Sequence, residues 1–202
     1  FLKTRLANAN EELHRRHLTG EAGIAHTELR SAMIDELIIA IYQSFLKKDE
    51  DLTEISLVAN GGYGRGMMNP GSDVDLFFLT SVPSKKVSKR ISELVRDMQH
   101  LIWDLGFKFL PSTRSVAESI NEAKKEPQSR TALFAARLIA GSTELFENFC
   151  TRFRKTCIEK DKEAFFEERS LDIRTRHAKW SHTVFLQEPN IKESPGTLRD
   201  YH

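Results

Sequence analysis

No stretch of this sequence approaches the ~20 consecutive apolar residues of a membrane span; the longest obvious apolar run is "LIIAIY", residues 37–42. The first residues also lack the basic-then-apolar pattern of an export signal, so the expected compartment is the cytoplasm and no membrane partner is expected. Cysteine is scarce. In a segment that reads as helix, Cys150 and Cys157 stand roughly 10 Å apart at Cα, too far for a disulfide, and they are expected to be buried thiols. Charge of either sign is not in surplus: 30 Lys plus Arg against 29 Asp plus Glu leave a formal +1. That balance argues against DNA or RNA as a partner and confines any anion site to a local cluster. Repeats and low-complexity tracts are missing too, and 40% hydrophobic against 29% charged residues is the balance of a folded chain rather than a disordered one.

What the sequence does have is glycine concentrated in one place. "ANGGYGRGMMNPGSDVDLFFLT", residues 59–80, puts a glycine turn shortly before Asp73 and Asp75. The flanking stretches "EISLVA" (54–59) and "DVDLFFLT" (73–80) are short, apolar and bounded by turn residues, as buried strands are. A strand that ends in Gly61-Gly62 and opens a short helix offers unobstructed amides to a phosphate. Arg65 adds a bidentate donor and Ser72 a hydroxyl. Asp73 and Asp75, two apart on a strand, project from one face. Side by side they repel unless a cation joins them, and magnesium, or manganese in its place, takes hard oxygens from one or two carboxylates plus substrate phosphates. A glycine turn alone is commonly structural, and a bare D-x-D is commonly a solvated strand start; the two together favour a metal and nucleotide site.

Around this stretch, apolar spacing predicts two opening helices (Leu2, Leu6, Ala9, Leu13, then Leu29, Met33, Leu37, Ala40, Ile41, Phe45) and a long helix after Pro83-Ser84 marked by Val87, Ile91, Leu94, Val95, Met98, Ile102 and Leu105. "FKFL" (107–110) reads as a third strand stopped by Pro111. From Ser115 onward strand signals vanish, and a Phe-rich stripe (Phe146, Phe149, Phe153, Phe165, Phe166) reads as helical core. The last fifteen or so residues read as a polar loop.

The order strand, Gly-Gly, short helix, S-D-x-D strand resembles the nucleotidyltransferase fold of the DNA polymerase β superfamily. More narrowly, "GGYGRGMMNPGSDVDL" is similar to the form G-G-Y-G-R-G-x-x-x-P-x-S-D-x-D-L of the bacterial PII-protein uridylyltransferase/uridylyl-removing enzymes. "EPNIKESPGTLRD", residues 188–200, resembles a second segment of that family, with Thr197 where another glycine is usual. The resemblance implies an α+β fold: N-terminal helices over 1–50 packing on a polymerase β-like nucleotidyltransferase core over 51–114, a small mixed sheet with helices, and then a helical region over 115–202. It implies that Asp73 and Asp75 are catalytic and hold the metal, and that Gly61, Gly62, Arg65 and Ser72 bind the nucleoside triphosphate. Lys192 and Arg199, in the closing loop, are expected to reach the triphosphate or the acceptor, against the alternative of a fixed connection with Glu188 and Asp200 as their ion partners.

The implied reaction moves a nucleoside monophosphate, UMP from UTP first of all, to a tyrosine of a small PII-like acceptor protein. A catalytically silent nucleotide-binding module and an adenylyl-transferring relative acting on another acceptor are the alternatives. Polymerase β relatives often carry a third carboxylate on a later strand, yet "FKFLPSTRS" (107–115) offers only Ser112, Thr113 and Arg114, which leaves the general base unassigned. The hydrolytic and regulatory domains that follow the transferase half in this family have no counterpart here, so the chain is expected to be a fragment of a longer protein.

Overall fold

The computed structural model describes residues 2–21, 23–47, 53–160 and 162–201, which fall into two compact units, Phe1–Arg154 and Lys155–His202. The expected boundary between residues 50 and 51 lies outside the described residues. In the first unit, β1 (Ile55–Ala59) and β2 (Leu76–Thr80) are buried at every position. Both faces of the sheet are therefore covered at its centre, which is why each strand reads as an unbroken apolar run instead of an alternation.

The sheet has four strands in the order β3-β2-β1-β4, with β3 (Ser112–Ser115) and β4 (Arg137–Gly141) at the edges. β1 runs antiparallel to β2, Leu57 facing Phe78 and Ala59 facing Leu76, and antiparallel to β4. β3 runs parallel to β2, with Ser112 beside Phe77. The mixed α+β core expected from the sequence is thus present.

Two helices cover one face: α2 (Gly23–Phe45) and α4 (Lys89–Asp104) bring Ile34, Ile38, Ile41, Ile91, Leu94 and Met98 against Leu57, Ala59, Leu76 and Phe78. α2 is apolar on a second side as well. There Met33, Leu37 and Ala40 share a groove with Leu2, Leu6 and Ala9 of α1 (Leu2–Leu18), so the stripe predicted for α2 is in large part its α1-facing side. On the opposite face of the sheet, Phe77 meets Phe149 edge-on at 6.3 Å between ring centroids. Between β1 and β2 lies the single turn α3 (Gly61–Gly64). β3 leads directly into α5 (Val116–Lys125), which is followed by α6 (Pro127–Phe134), and β4 precedes α7 (Thr143–Phe153), the helix that carries Phe149.

Three expectations need correction. "FKFL" is not a regular strand; β3 begins after Pro111, because proline lacks the amide a ladder needs and is tolerated where an edge strand starts. The segment after Ser115 is not wholly helical, since Arg137–Gly141 forms β4 on β1. It is an edge strand of partly exposed residues with alanine and glycine, a composition that carries little strand signal. The long helix is capped by Ser88, whose hydroxyl accepts from Ile91 N–H at 3.3 Å, while Ser84–Lys86 is a separate 3-10 turn.

The second unit holds α8 (Lys162–Ala178) and the short α9 (Leu198–Tyr201), the latter within the stretch read as loop. Phe149 and Phe153 are buried as expected, but Phe166 on α8 is 69% exposed; consecutive helical residues point about 100° apart, so adjacent Phe165 and Phe166 do not share a side. Cys157 is buried and Cys150 half-buried, both as free thiols. Among the described residues no helix is long and apolar enough to cross a membrane.

Candidate active site

The ladder between β1 and β2 continues one step past the strands: Asn60 N–H donates to the Asp75 carbonyl at 3.0 Å. That bond sets the glycine turn beside the paired aspartates. Gly64 N–H then donates to Asn60 O (2.8 Å) and Arg65 N–H to Gly61 O (3.2 Å), closing one helical turn. Gly61 and Gly62, at the start of that turn, have no carbonyl one turn earlier to bond.

The glycines are not equivalent. Gly61 has φ +55°, and a Cβ there would stand 3.2 Å from Asp75 Oδ2, so the carboxylate lies against the bare backbone. Gly64 is buried, and a Cβ would collide with the Ala135 carbonyl oxygen, so this glycine serves packing. At Gly62 a Cβ would lie 3.8 Å from the Arg65 guanidinium. Partial burial pushes the Arg65 pKa below its ordinary value, and the Asp75 charge acts against that shift; the guanidinium and the carboxylate therefore feel each other across the turn.

Asp73 and Asp75 are both exposed, while Val74 between them is 3% exposed. β2 begins at Leu76, so the two aspartates stand just before the strand and not on it as the sequence reading over 73–80 has it; the exposed, buried, exposed order of 73–75 leaves both carboxylates open to solvent. They line a cavity of about 470 Å³ together with Asn60, Phe77, Ser112, Trp103 and the 108–110 segment. Gly61, Gly62 and Arg65 are not in the lining; Gly61 lies against Asp75, which is. Ser72 is exposed in the preceding turn, its N–H donating to Asn69 O at 3.1 Å, and is not in the lining.

Among the described residues no group of three or more His, Cys, Asp or Glu side chains gathers as a complete metal cage. Two hard carboxylates open to a cavity suit magnesium nonetheless, since that ion is usually held by one or two carboxylates with water and substrate phosphates completing the shell. Lys108, Trp103 and Asn60 escaped sequence reasoning. Asn60 stands next to the motif, but nothing in sequence spacing places Trp103 or Lys108 in the lining.

The turn is braced from behind by a residue of β4. Arg137 donates to Asp35 Oδ2 (2.6 Å) and Oδ1 (3.1 Å), and also to the carbonyls of Tyr63 (3.1 Å) and Gly64 (3.3 Å). Its guanidinium lies 5.5 Å from the Tyr63 ring centroid. Burial, reinforced by the Asp35 charge, pushes the Tyr63 hydroxyl pKa up, so it stays neutral. Gly66 N–H also donates to the Tyr63 carbonyl at 3.0 Å, so the guanidinium is a second donor there and reaches the Gly64 carbonyl with the same fork.

Lys192 and Arg199 belong to the second unit. There Arg199 pairs with Glu193 at 3.1 Å, and its N–H donates to Lys192 O at 3.1 Å. Asp200 is not their ion partner: it accepts from Arg176 (2.6 Å), from Gly196 N–H (2.6 Å) and lies 2.9 Å from His177 Nε2. Those bonds hold the Asp200 carboxyl below its ordinary pKa against the opposing effect of burial, which is the largest single influence.

The nucleotidyltransferase domain family matches residues 40–138, which include the glycine turn and both aspartates. The GlnD PII-uridylyltransferase family matches residues 164–202. A bifunctional uridylyltransferase/uridylyl-removing enzyme of Burkholderia thailandensis is 43% identical over 147 residues, covering 72% of this chain and 16% of that protein. Its namesake in Burkholderia mallei is 43% identical over 146 residues with the same coverage; the alignment thus spans about a sixth of these relatives' length. A solved toxin-antitoxin with AMP-PNP overlays 67% of this chain and 98% of that chain at 14% identity and a TM-score of 0.40. With a nucleotidyltransferase domain around the glycine turn and the PII-uridylyltransferase match after it, the chain belongs to the PII-uridylyltransferase family.

Proposed function

We propose that this chain transfers a nucleoside monophosphate, UMP from UTP in the first instance, to a hydroxyl of a small PII-like acceptor protein in the cytoplasm. The observation that carries the reading is the pair Asp73 and Asp75, exposed just ahead of β2, lining one cavity next to bare glycine backbone. In this reaction the acceptor oxygen bonds to the α-phosphorus, the bond from that phosphorus to the pyrophosphate oxygen breaks, and the hydroxyl proton passes to solvent. A magnesium ion, when bound, offsets phosphate charge and polarises the phosphorus centre.

The chain's own residues do the rest. Asp73 and Asp75 hold the cation. Gly61 and Gly62 let phosphate oxygens reach backbone amides, and Arg65 supplies a cation to the same oxygens. Ser72 adds a hydroxyl from the preceding turn. The preformed turn costs nothing to organise when charge develops, which is how fixed donors favour a transition state.

Release of pyrophosphate, measured with UTP, ATP, CTP and GTP in turn, with magnesium and with or without a PII-type protein, tests this. Acceptor-dependent release with UTP supports it; a preference for ATP points to the adenylyl-transferring alternative. A second reading, nucleotide binding without transfer, is favoured by the lack of a third carboxylate among the described residues at the site. Nucleotide-induced thermal stabilisation without pyrophosphate release would establish that reading instead.

A further inference from the structure

We propose that Lys108 is a triphosphate-binding residue of this site, its ammonium acting as the fixed positive charge beside the two aspartates. The inference rests on the nucleotidyl-transfer reading above. β2 and β3 are parallel, with Phe77 beside Ser112. Carried back past the starts of both strands, that register sets Val74 beside Phe109 and Asp73 beside Lys108. The bond from Val74 N–H to Lys108 O, 3.2 Å, is the one this register requires.

Burial agrees with the register. Val74 and Phe109 are buried at 3% and 1%, whereas Asp73 and Lys108 are exposed and both line the cavity. Neighbouring strands lie about 4.8 Å apart, well within the reach of a lysine side chain. The backbone beneath it is pinned on both sides, by Val74 and by Trp103, whose indole Nε1–H donates to Phe109 O at 2.6 Å. Among the described residues no carboxylate forms an ion pair with the Lys108 ammonium. It is thus a cation on a fixed base, next to the metal-binding carboxylates and without a structural partner.

Such a charge has opposite effects on the two things the site must bind. It repels a divalent cation in the absence of nucleotide, and it attracts phosphate oxygens when the nucleotide arrives. Two carboxylates against one ammonium leave little negative charge to hold metal alone, so metal and triphosphate are expected to enter together.

The test compares the 202-residue wild-type chain with Lys108→Met and Lys108→Arg. Calorimetry measures binding of the non-transferable α,β-methylene analogue of UTP and of UMP, and the Mn2+ electron paramagnetic resonance signal measures metal binding without nucleotide. Lys108→Met should weaken the triphosphate analogue about tenfold or more, the loss of a charge-assisted hydrogen bond, and leave UMP within about twofold. It should also tighten Mn2+ in the absence of nucleotide, and Lys108→Arg should restore wild-type values for both. Unchanged triphosphate affinity in Lys108→Met, with the wild type binding normally, overturns this inference alone. Equal weakening of UMP and the triphosphate analogue also overturns it. A wild-type chain that binds no nucleotide overturns both this inference and the reading it rests on.

Discussion

Arg137 on β4 and Asp35 on α2, 102 residues apart in sequence, meet through two hydrogen bonds of 2.6 and 3.1 Å, and the same guanidinium holds the two carbonyls that end the glycine turn. The pair is only partly exposed, 34% for Arg137 and 23% for Asp35. Replacing Arg137 by Gln removes the cation facing Asp35 and a donor to the Gly64 carbonyl, while Tyr63 O keeps its bond from Gly66 N–H, and is expected to cost about 1–3 kcal/mol of stability. Thermal unfolding measures that cost. Lys should not restore the wild-type value, because a single ammonium cannot reproduce the fork that spans Asp35 and the turn.

Gly61 and Gly64 should fail in different ways when each is changed to Ala. At Gly61 the new methyl carbon would stand 3.2 Å from Asp75 Oδ2 in a left-handed backbone conformation, which costs about 1–2 kcal/mol and displaces the carboxylate. At Gly64 it meets the Ala135 backbone and the Ala59 carbonyl, and the expected loss is larger, about 3 kcal/mol or more, since two main-chain segments must part. Chemical denaturation ranks the two, and nucleotide binding measured well below each melting temperature should show Gly61→Ala the more damaged at the site. The reverse ranking in denaturation would mean that the turn is not packed on the Ala135 backbone.

Asp75→Asn is expected to fold with a melting temperature within a few degrees of wild type, because the side chain is exposed. It should nonetheless reduce magnesium-dependent pyrophosphate release by orders of magnitude, since the neutral amide is a poor ligand for a hard divalent cation. Full activity in this variant would remove Asp75 from the metal site.

The glycine turn, the paired aspartates and the buried strands beside them were legible because each depends on residues close together in sequence. Periodicity found α4 for the same reason, down to Ile91, Leu94, Met98 and Ile102 on its buried side. What escaped depends on pairing across distance. β4 has weak strand composition and exists because β1 offers it a ladder, so Arg137 could not be placed behind the turn. Lys108 lies in a stretch without an acid, and only the β2–β3 register puts it next to Asp73. The roles of Gly61 and Gly64 were likewise indistinguishable until Ala135 and Asp75 could be located around them.

Glu118 makes a pH-dependent prediction away from the site. As the third residue of α5 it completes a capping box: its carboxylate accepts from Ser115 N–H at 2.8 Å, while Ser115 Oγ accepts from Glu118 N–H at 3.3 Å. It also accepts from Ser84 N–H (3.0 Å) and Ser84 Oγ–H (2.8 Å), tying the 3-10 turn to the β3–α5 junction. The bond from Ser115 N–H is the largest cause holding its pKa down to about 2, with those from Ser84 adding to it and burial opposing. An unfolded Glu titrates near 4.3. Because the folded value is the lower one, the carboxylate's contribution is complete above about pH 4.3 and is lost as pH falls toward about 2. Glu118→Gln, which keeps the shape but not the charge, should therefore melt below wild type at pH 7, by the equivalent of about 1 kcal/mol for a weakened cap. The gap should close steadily between pH 4 and pH 2. A gap that persists undiminished at pH 2 would assign the stabilisation to side-chain packing rather than to the charged hydrogen bonds.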